Sequence, residues 1–377
     1  MKTAVTPKIW LSSPHMGGTE QHYVQQAFDT NWIAPLGPNV NQFEHVLETY
    51  LSEETHVAVL SSGTGAIHLG LLLLGVGSGD EVLCQSFTFS ASANPITYLG
   101  AEPVFIDSEL DTWNMCPKLL EKAIIERTNA GNKPKAIVAV HLYGMPYKIN
   151  EIKAIAEAHQ IPVLEDSAEA LGSTYHGVAC GTFGDIGVLS FNGNKIITTS
   201  GGGALTTKNK IYKDRAVFLA TQARDNAPHY EHSSIGFNYR MSNVLAGIGI
   251  GQMEVLNARV AARRANYRMY KNALEHEEQL TFLNEPKGYY SNRWLSCILT
   301  PSFTVREKIR LALEEVNIES RPLWKPMHLQ PVFKNNLQFT NGNSEMLFER
   351  GLCLPSGSNL SQDDVDRVIT IIKNTLL

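Results

Sequence analysis

Three short segments of the chain carry residue types whose chemistry is complementary. The first, Ser61-Ser62-Gly63-Thr64-Gly65-Ala66, follows the apolar run HVAVL and precedes IHLGLLLLGV, so a small-residue turn opens a helix. The first N–H groups of a helix lack intrahelical partners, and with the positive end of the helix dipole they attract an anion. The turn matches neither GxGxxG nor the GxxxxGK pattern of nucleotide hydrolases, which argues against a nicotinamide dehydrogenase and a P-loop enzyme. Taken singly, Ser62 or Thr64 is equally readable as a helix N-cap. In the second segment, Ile161-Pro162-Val163-Leu164 runs into Glu165-Asp166-Ser167-Ala168-Glu169. That puts carboxylates at the C-terminal end of a strand, where open α/β sheets bind ligands. A carboxylate there can hold a cation or a protonated ring nitrogen, although Asp166 or Ser167 can also be a cap.

The third segment, GDIGVLSFNGNK, is a strand ending at Ser190 with Lys195 five residues on, followed by the small residues of TSGGG. Most lysines are surface charges. Lys195 differs by position, because it falls at the mouth of the sheet that carries the turn and the carboxylate. A desolvated lysine amine is a Schiff-base nucleophile. An anion cradle, a carboxylate and an amine are together what pyridoxal 5′-phosphate asks of a protein. Phe89, in the run SFTF, ends another strand and is placed to stack on the ring, though a single phenylalanine is more often core.

These groups need a layered scaffold. From about 55 to 210, the runs HVAVL, EVLCQSFTF, AEPVFID, KAIVAVHLYG, IPVLED, IGVLSF and GGALTT alternate with helix-like stretches. Several are apolar at consecutive positions, as strands buried on both faces are, which predicts an α/β fold around a mostly parallel sheet. Between Gln252 and Leu274, Met253, Leu256, Val260, Tyr267, Tyr270 and Leu274 form a helical stripe. Arg259, Arg263, Arg264 and Arg268 of that helix read as its solvated face. LTFLNE, RWLSCILT and REKIRLALEEVNIES predict a smaller α+β domain, giving a division into 1–251 and 252–377.

The 32 Lys and Arg against 37 Asp and Glu give a net charge of −5, so no global positive field invites nucleic acid or an anionic membrane. Five scattered cysteines without CxxC pairing read as reduced thiols. With no apolar run long enough to span a bilayer and no leader-like N-terminus, the expected location is the cytoplasm. His229 and His232 of HYEH lack the further ligands a zinc site needs, and no metal is expected.

The ordered set SSGTGAIHL, SFTFSASAN, EDSAEALGS, GTFGDIGVLSFNGNK, TSGGGAL, TQARD, HYEH, IGFNYRMSN and ESRPLWKPMHLQP resembles the DegT/DnrJ/EryC1 family of pyridoxal-phosphate-dependent sugar aminotransferases. The likeness runs from NWIAPLGP near residue 31 to about 330. It implies a fold-type I aminotransferase and a homodimer with active sites shared across the subunit interface. On this resemblance Lys195 forms the internal aldimine and shuttles the proton, and Asp166 pairs with the pyridine nitrogen. Phe89 stacks on the ring, and Ser62, Gly63, Thr64, Gly65 and Ser190 form the phosphate site, with Asn238 contributed by the neighbouring subunit. Glu169 stands where many members carry Gln or His facing the phenolic oxygen; an ionised carboxylate would repel a phenolate, so a protonated carboxyl or a bridging water is expected. Relatives that deoxygenate the sugar have histidine in place of the lysine, so Lys195 favours amination.

The pattern of NWIAPLGP, TQARD, HYEH and ESRPLWKPMH is most similar to members acting on a UDP-linked 4-keto-6-deoxy-N-acetylhexosamine, as in bacillosamine synthesis, with glutamate as amino donor. Arg240, Arg321, Lys325 and His328 are the candidates for the donor carboxylate or the diphosphate; each is also readable as a surface or interface ion pair. Alternatives are a GDP- or dTDP-linked keto sugar, a lyase or dehydratase on the same cofactor, and a regulator that has lost turnover.

Overall fold

The computed structural model describes residues 7–377. Its centre is an eight-stranded sheet built from β1 (His56–Leu60), β2 (Glu81–Gln85), β3 (Glu102–Ile106), β4 (Ala136–Val140), β5 (Val163–Asp166), β6 (Ile186–Ser190), β7 (Gly203–Thr207) and β8 (Gln338–Phe339). The spatial order is β1-β7-β6-β5-β4-β2-β3-β8. β7 pairs antiparallel with both β1 and β6, while β2, β3, β4, β5, β6 and β8 run parallel. The apolar runs become strands as expected, but two stop early. EVLCQ ends at Gln85, leaving SFTF in a turn, and KAIVAV ends at Val140, because Tyr143 (φ 54°) and Gly144 (φ 85°) curl the chain away.

Helices cover both faces, and the sheet's two sides carry separate cores, one around Leu69, Val82, Leu164 and Leu205, the other around Leu83, Ile137 and Ile152. A four-stranded antiparallel sheet, Thr281–Phe282, Ser296–Leu299, Gly351–Leu354 and Arg321–Pro322, forms the second layer system. Helices Phe303–Glu315 and Gln362–Leu376 pack on it through Ile309, Leu313, Val365, Val368 and Ile372. Ser361 and Asp364 close a reciprocal capping box at the start of the last helix.

The stripe from Met253 to Leu274 is buried as predicted, but the helix starts nine residues earlier and spans Asn243–Leu274. The division between 1–251 and 252–377 therefore passes through this helix, and Gln338–Phe339 returns from the second part to the edge of the large sheet. The added turns hold the run AGIGIG, although glycine weakens helices. Here the missing side chains admit neighbours: a Cβ on Gly249 would lie 2.5 Å from the Phe43 ring, and one on Gly251 would lie 2.8 Å from the Glu20 backbone nitrogen. Of the four arginines, Arg268 is exposed and Arg259 and Arg264 are half-buried, but Arg263 is fully buried, which corrects the expectation of a solvated face.

Phe43, fully buried against Gly249 and 5.2 Å from the ring centre of Phe191, ties the helix Pro38–Leu51 to the long helix and to the end of β6. Replacing it, Phe43→Ala, should cost about 3–5 kcal/mol. Urea unfolding should show a lower midpoint with an unchanged slope.

Candidate active site

Strand direction decides where the site lies. β1, β2, β5 and β6 all end on one edge of the sheet, and antiparallel β7 begins there, so Ser61, Ser86, Asp166, Ser190 and Gly203 come together. A cavity of about 630 Å³ opens on this edge. Ser62, Gly63, Thr64, Phe89, Asp166, Glu169, Ser190, Lys195 and Arg321 line it.

The turn after β1 is shaped as an anion cradle. Ser62 caps the helix Gly63–Leu73, its Oγ accepting from the Gly65 N–H at 3.0 Å. Gly65 thus shapes the turn but does not line the cavity. The N–H groups of Gly63 and Thr64 have no protein acceptor among the described residues. Gly203 sits in register with both Leu60 and Ser190, and a Cβ on it would lie 2.4 Å from the Gly63 nitrogen. Only glycine lets the Ser190 end of β6 approach the cradle this closely.

Asp166, 3% exposed, accepts from Ser92 Oγ at 2.6 Å and from the Ala168 N–H at 3.1 Å. Since Ser92 donates to the carboxylate, Thr88 Oγ1, 2.8 Å away, donates to Ser92. Across the cavity floor, Glu169 Oε2 accepts from the Tyr143 N–H at 2.7 Å and Oε1 lies 3.4 Å from Lys195 Nζ. The Lys195 ammonium also stands 4.5 Å from the ring centre of Trp294. Burial pushes the Glu169 carboxyl up to about 7, and the nearby Lys195 charge and the Tyr143 N–H only partly offset it. The protonated carboxyl foreseen from sequence is therefore accessible near neutrality.

Of the remaining candidates only Arg321 reaches the cavity. Arg321 is exposed on the cavity rim and paired with Glu319 at 2.8 Å. Within the single chain Arg240 reaches Glu44 at 2.5 Å and the Val59 carbonyl at 2.8 Å, away from the cavity lining. His328 is buried between Ser86 Oγ (2.6 Å) and Glu345 (3.2 Å), and Lys325 is exposed. Asn238 is exposed on the segment whose Tyr239 carbonyl accepts from the Ser61 N–H, next to the cradle. His229 and His232 are exposed, His232 reaching the Gln222 carbonyl. Glu165, neighbour of Asp166, turns to the other side of its strand. It binds His141 Nε2 (2.6 Å) and the N–H groups of Gly181, Phe183 and Gly184. His141, Glu165 and Cys180 cluster within 4.8 Å, and the carboxylate's oxygens are already engaged by these donors. Ser92, Trp10, Ser12, Trp294 and Trp324 also line the cavity, and their local sequence carries no mark of it.

The family model for the DegT/DnrJ/EryC1/StrS aminotransferase family matches residues 14–373. The chain belongs to this family. EpsN of Bacillus subtilis (strain 168), described as a pyridoxal phosphate-dependent aminotransferase, is 53% identical over 97% of this chain and 95% of its own. GDP-perosamine synthase of Escherichia coli O157:H7 is 38% identical, with 95% of each chain covered. Among solved structures, Spr1654 from Streptococcus pneumoniae, described as a sugar aminotransferase and solved in its PLP form, superposes with a TM-score of 0.91. It is 27% identical, with 98% of this chain and 99% of that chain covered. The protein is thus a fold-type I, pyridoxal-phosphate-dependent sugar aminotransferase of the DegT family. Its cavity fits that cofactor: free N–H groups for a phosphate, a buried carboxylate with two donors, and an amine, all on one edge.

Because the Glu169 carboxyl is raised from 4.5 to about 7, its burial penalises the folded state progressively as pH rises through that interval. Glutamine carries no such penalty. The melting temperature of the cofactor-free Glu169→Gln protein should therefore gain on wild type between pH 4.5 and 7 and hold a constant lead above it. A difference independent of pH would show that the carboxyl titrates normally.

Proposed function

We propose that this cavity moves an amino group from L-glutamate to C4 of a UDP-linked 4-keto-6-deoxy-N-acetylhexosamine. The observation that carries the amination reading is the convergence of Lys195, Asp166 and the Gly63–Thr64 cradle in one cavity. When bound, pyridoxal phosphate supplies an electron sink that lets the amino group pass between two carbon skeletons. In this reading the N–H groups of Gly63 and Thr64 with the Ser62, Thr64 and Ser190 hydroxyls hold its phosphate. Asp166, kept in place by Ser92, holds the proton of the ring nitrogen, and Phe89 covers the ring. Lys195 Nζ would bind the cofactor and, once displaced, take the proton from the donor carbon in one half-reaction and return a proton to the sugar carbon in the other. Glu169 in its protonated form donates a hydrogen bond at the phenolic oxygen, and Arg321 at the rim receives an anionic group of donor or nucleotide.

The active unit in this reading is a cytoplasmic homodimer. Asn238 reaches the partner's phosphate site, and Arg240 and His328 brace the segments beside it. Exposed Trp32, Ile33, Leu36, Tyr230 and Ile235 support a subunit contact on the single chain. None of the helices among the described residues is long and apolar enough to cross a membrane. A GDP-linked 4-keto-6-deoxy sugar is the second reading, favoured by the likeness to GDP-perosamine synthase.

A panel of UDP-, GDP- and dTDP-linked 4-keto-6-deoxy sugars, each incubated with glutamate, tests the assignment. Amination should release one 2-oxoglutarate per sugar aminated, fastest with the UDP-linked N-acetyl sugar, and Lys195→Ala should lower kcat/KM by about a thousandfold or more. Faster turnover of the GDP sugar would select the second reading, and sugar consumed without 2-oxoglutarate would replace amination by dehydration.

A further inference from the structure

The loop that presents Lys195 has little structure of its own. Asn192-Gly193-Asn194-Lys195 forms only a turn, with the Lys195 N–H on the Asn192 carbonyl at 3.0 Å. It is held from outside by groups distant in sequence. Arg263 Nη2 lies 3.4 Å from the Lys195 carbonyl and 3.0 Å from Ser12 Oγ, and Nη1 donates to the Trp294 carbonyl at 2.7 Å. The Trp294 indole N–H and the Ser12 hydroxyl both donate to the Asn194 carbonyl at 2.7 Å.

Arg263 is the largest of the fully buried side chains, only 1% exposed. Its three acceptors are two carbonyls and a hydroxyl, and its Nε has no partner among the described residues. A buried cation without a carboxylate is a costly way to fill space, and an apolar side chain would do so more cheaply. Each residue it grips, Ser12, Lys195 and Trp294, lines the cavity. The face of the Trp294 ring, in turn, carries the Lys195 ammonium.

We propose that Arg263 and Trp294 are positioning residues for Lys195, clamping the backbone of Asn194–Lys195 so that the amine projects between Glu169 and the indole ring. The proposal rests on the reading of Lys195 as the group that binds the cofactor. Capture joins the lysine nitrogen to the aldehyde carbon and releases the aldehyde oxygen as water, without any change of oxidation state. Its rate depends on where the amine stands.

The test compares two ligands on the full-length cofactor-free protein. Pyridoxal phosphate must be captured by the lysine, whereas pyridoxamine phosphate has no aldehyde and uses only the rest of the site. In Arg263→Lys and Trp294→Phe, capture followed by stopped-flow absorbance should slow by about 10- to 100-fold, while affinity for pyridoxamine phosphate stays within about twofold of wild type. Ser12→Ala, at a half-buried position in the N-terminal segment that reaches the same loop, should slow capture less and serves if either other variant does not fold. Unchanged capture in the folded variants, or equal weakening of both ligands, would overturn the clamp. Wild-type protein whose pyridoxal phosphate spectrum is the same in Lys195→Ala would instead sink the reading of Lys195.

Discussion

The structure depends on keeping one amine and one carboxyl together where water scarcely reaches. Lys195 and Glu169 stand 3.4 Å apart with their side chains 11% and 4% exposed. Removing two charges from water costs more than their attraction returns unless further hydrogen bonds complete the arrangement. The completing donor is the Tyr143 N–H, and it is available only because Tyr143 takes a left-handed conformation at the end of β4. Ser173 Oγ donates to the Gly144 carbonyl of that turn, and Asn292 stands against it, its backbone N–H donating to Ser173 Oγ and its amide to the Glu169 and Leu171 carbonyls. A Cβ on Gly144 would fall 1.9 Å from Asn292 Oδ1, so the turn and the asparagine fit each other only with glycine at 144. With these supports the balance is nearly even, as a carboxyl raised to about 7 indicates.

The sheet solves the matching problem for the anionic end of the site. A cradle at the end of β1 and a hydroxyl at the end of β6 belong to strands that are not neighbours, and β7 lies between them. Inserting β7 antiparallel places its first residue, not its last, at the site. That residue is Gly203, the one type small enough to let Gly63 and Ser190 close over it. Direction and residue size are thus one requirement, and a parallel strand at this position would bring Thr207 to the same edge.

The parts legible in the sequence are those encoded locally. Consecutive apolar runs marked the strands, and chemistry at their ends marked Ser62, Asp166, Ser190 and Lys195, because strand direction carries such ends to one edge. What escaped was encoded by distance. Ser92 meets Asp166 across 74 residues, and nothing in SASAN announces an acidic partner. The start of the long helix escaped because glycine's local cost in AGIGIG is visible and the Phe43 ring it accommodates is not. Arg263 reads as a surface charge because residue type is a prior about solvent, overridden here by three acceptors from elsewhere in the chain. Arg240 and His328 read as anion-binding groups from their cationic or polar side chains, and within the single chain Glu44 and Ser86 hold them.

The walls of the cavity come from different sources, and this bears on how one scaffold serves different sugars. Groups assigned to the cofactor sit on strand ends or the turns that follow them, where the core on both faces of the sheet fixes them. The opposite wall, Trp10, Ser12, Trp294, Glu319, Arg321 and Trp324, comes from the N-terminal segment and from the part of the chain beyond the long helix. Those residues touch the sheet only through contacts such as the Phe89–Trp324 pair, 5.4 Å between ring centres. If the acceptor sugar lies against this wall, as in the function proposed above, a change of sugar asks for new side chains there while the strand ends stay as they are. The exceptions are Trp294 and Ser12, which both hold the Asn194 carbonyl, so a substitution at either position would disturb the lysine as well.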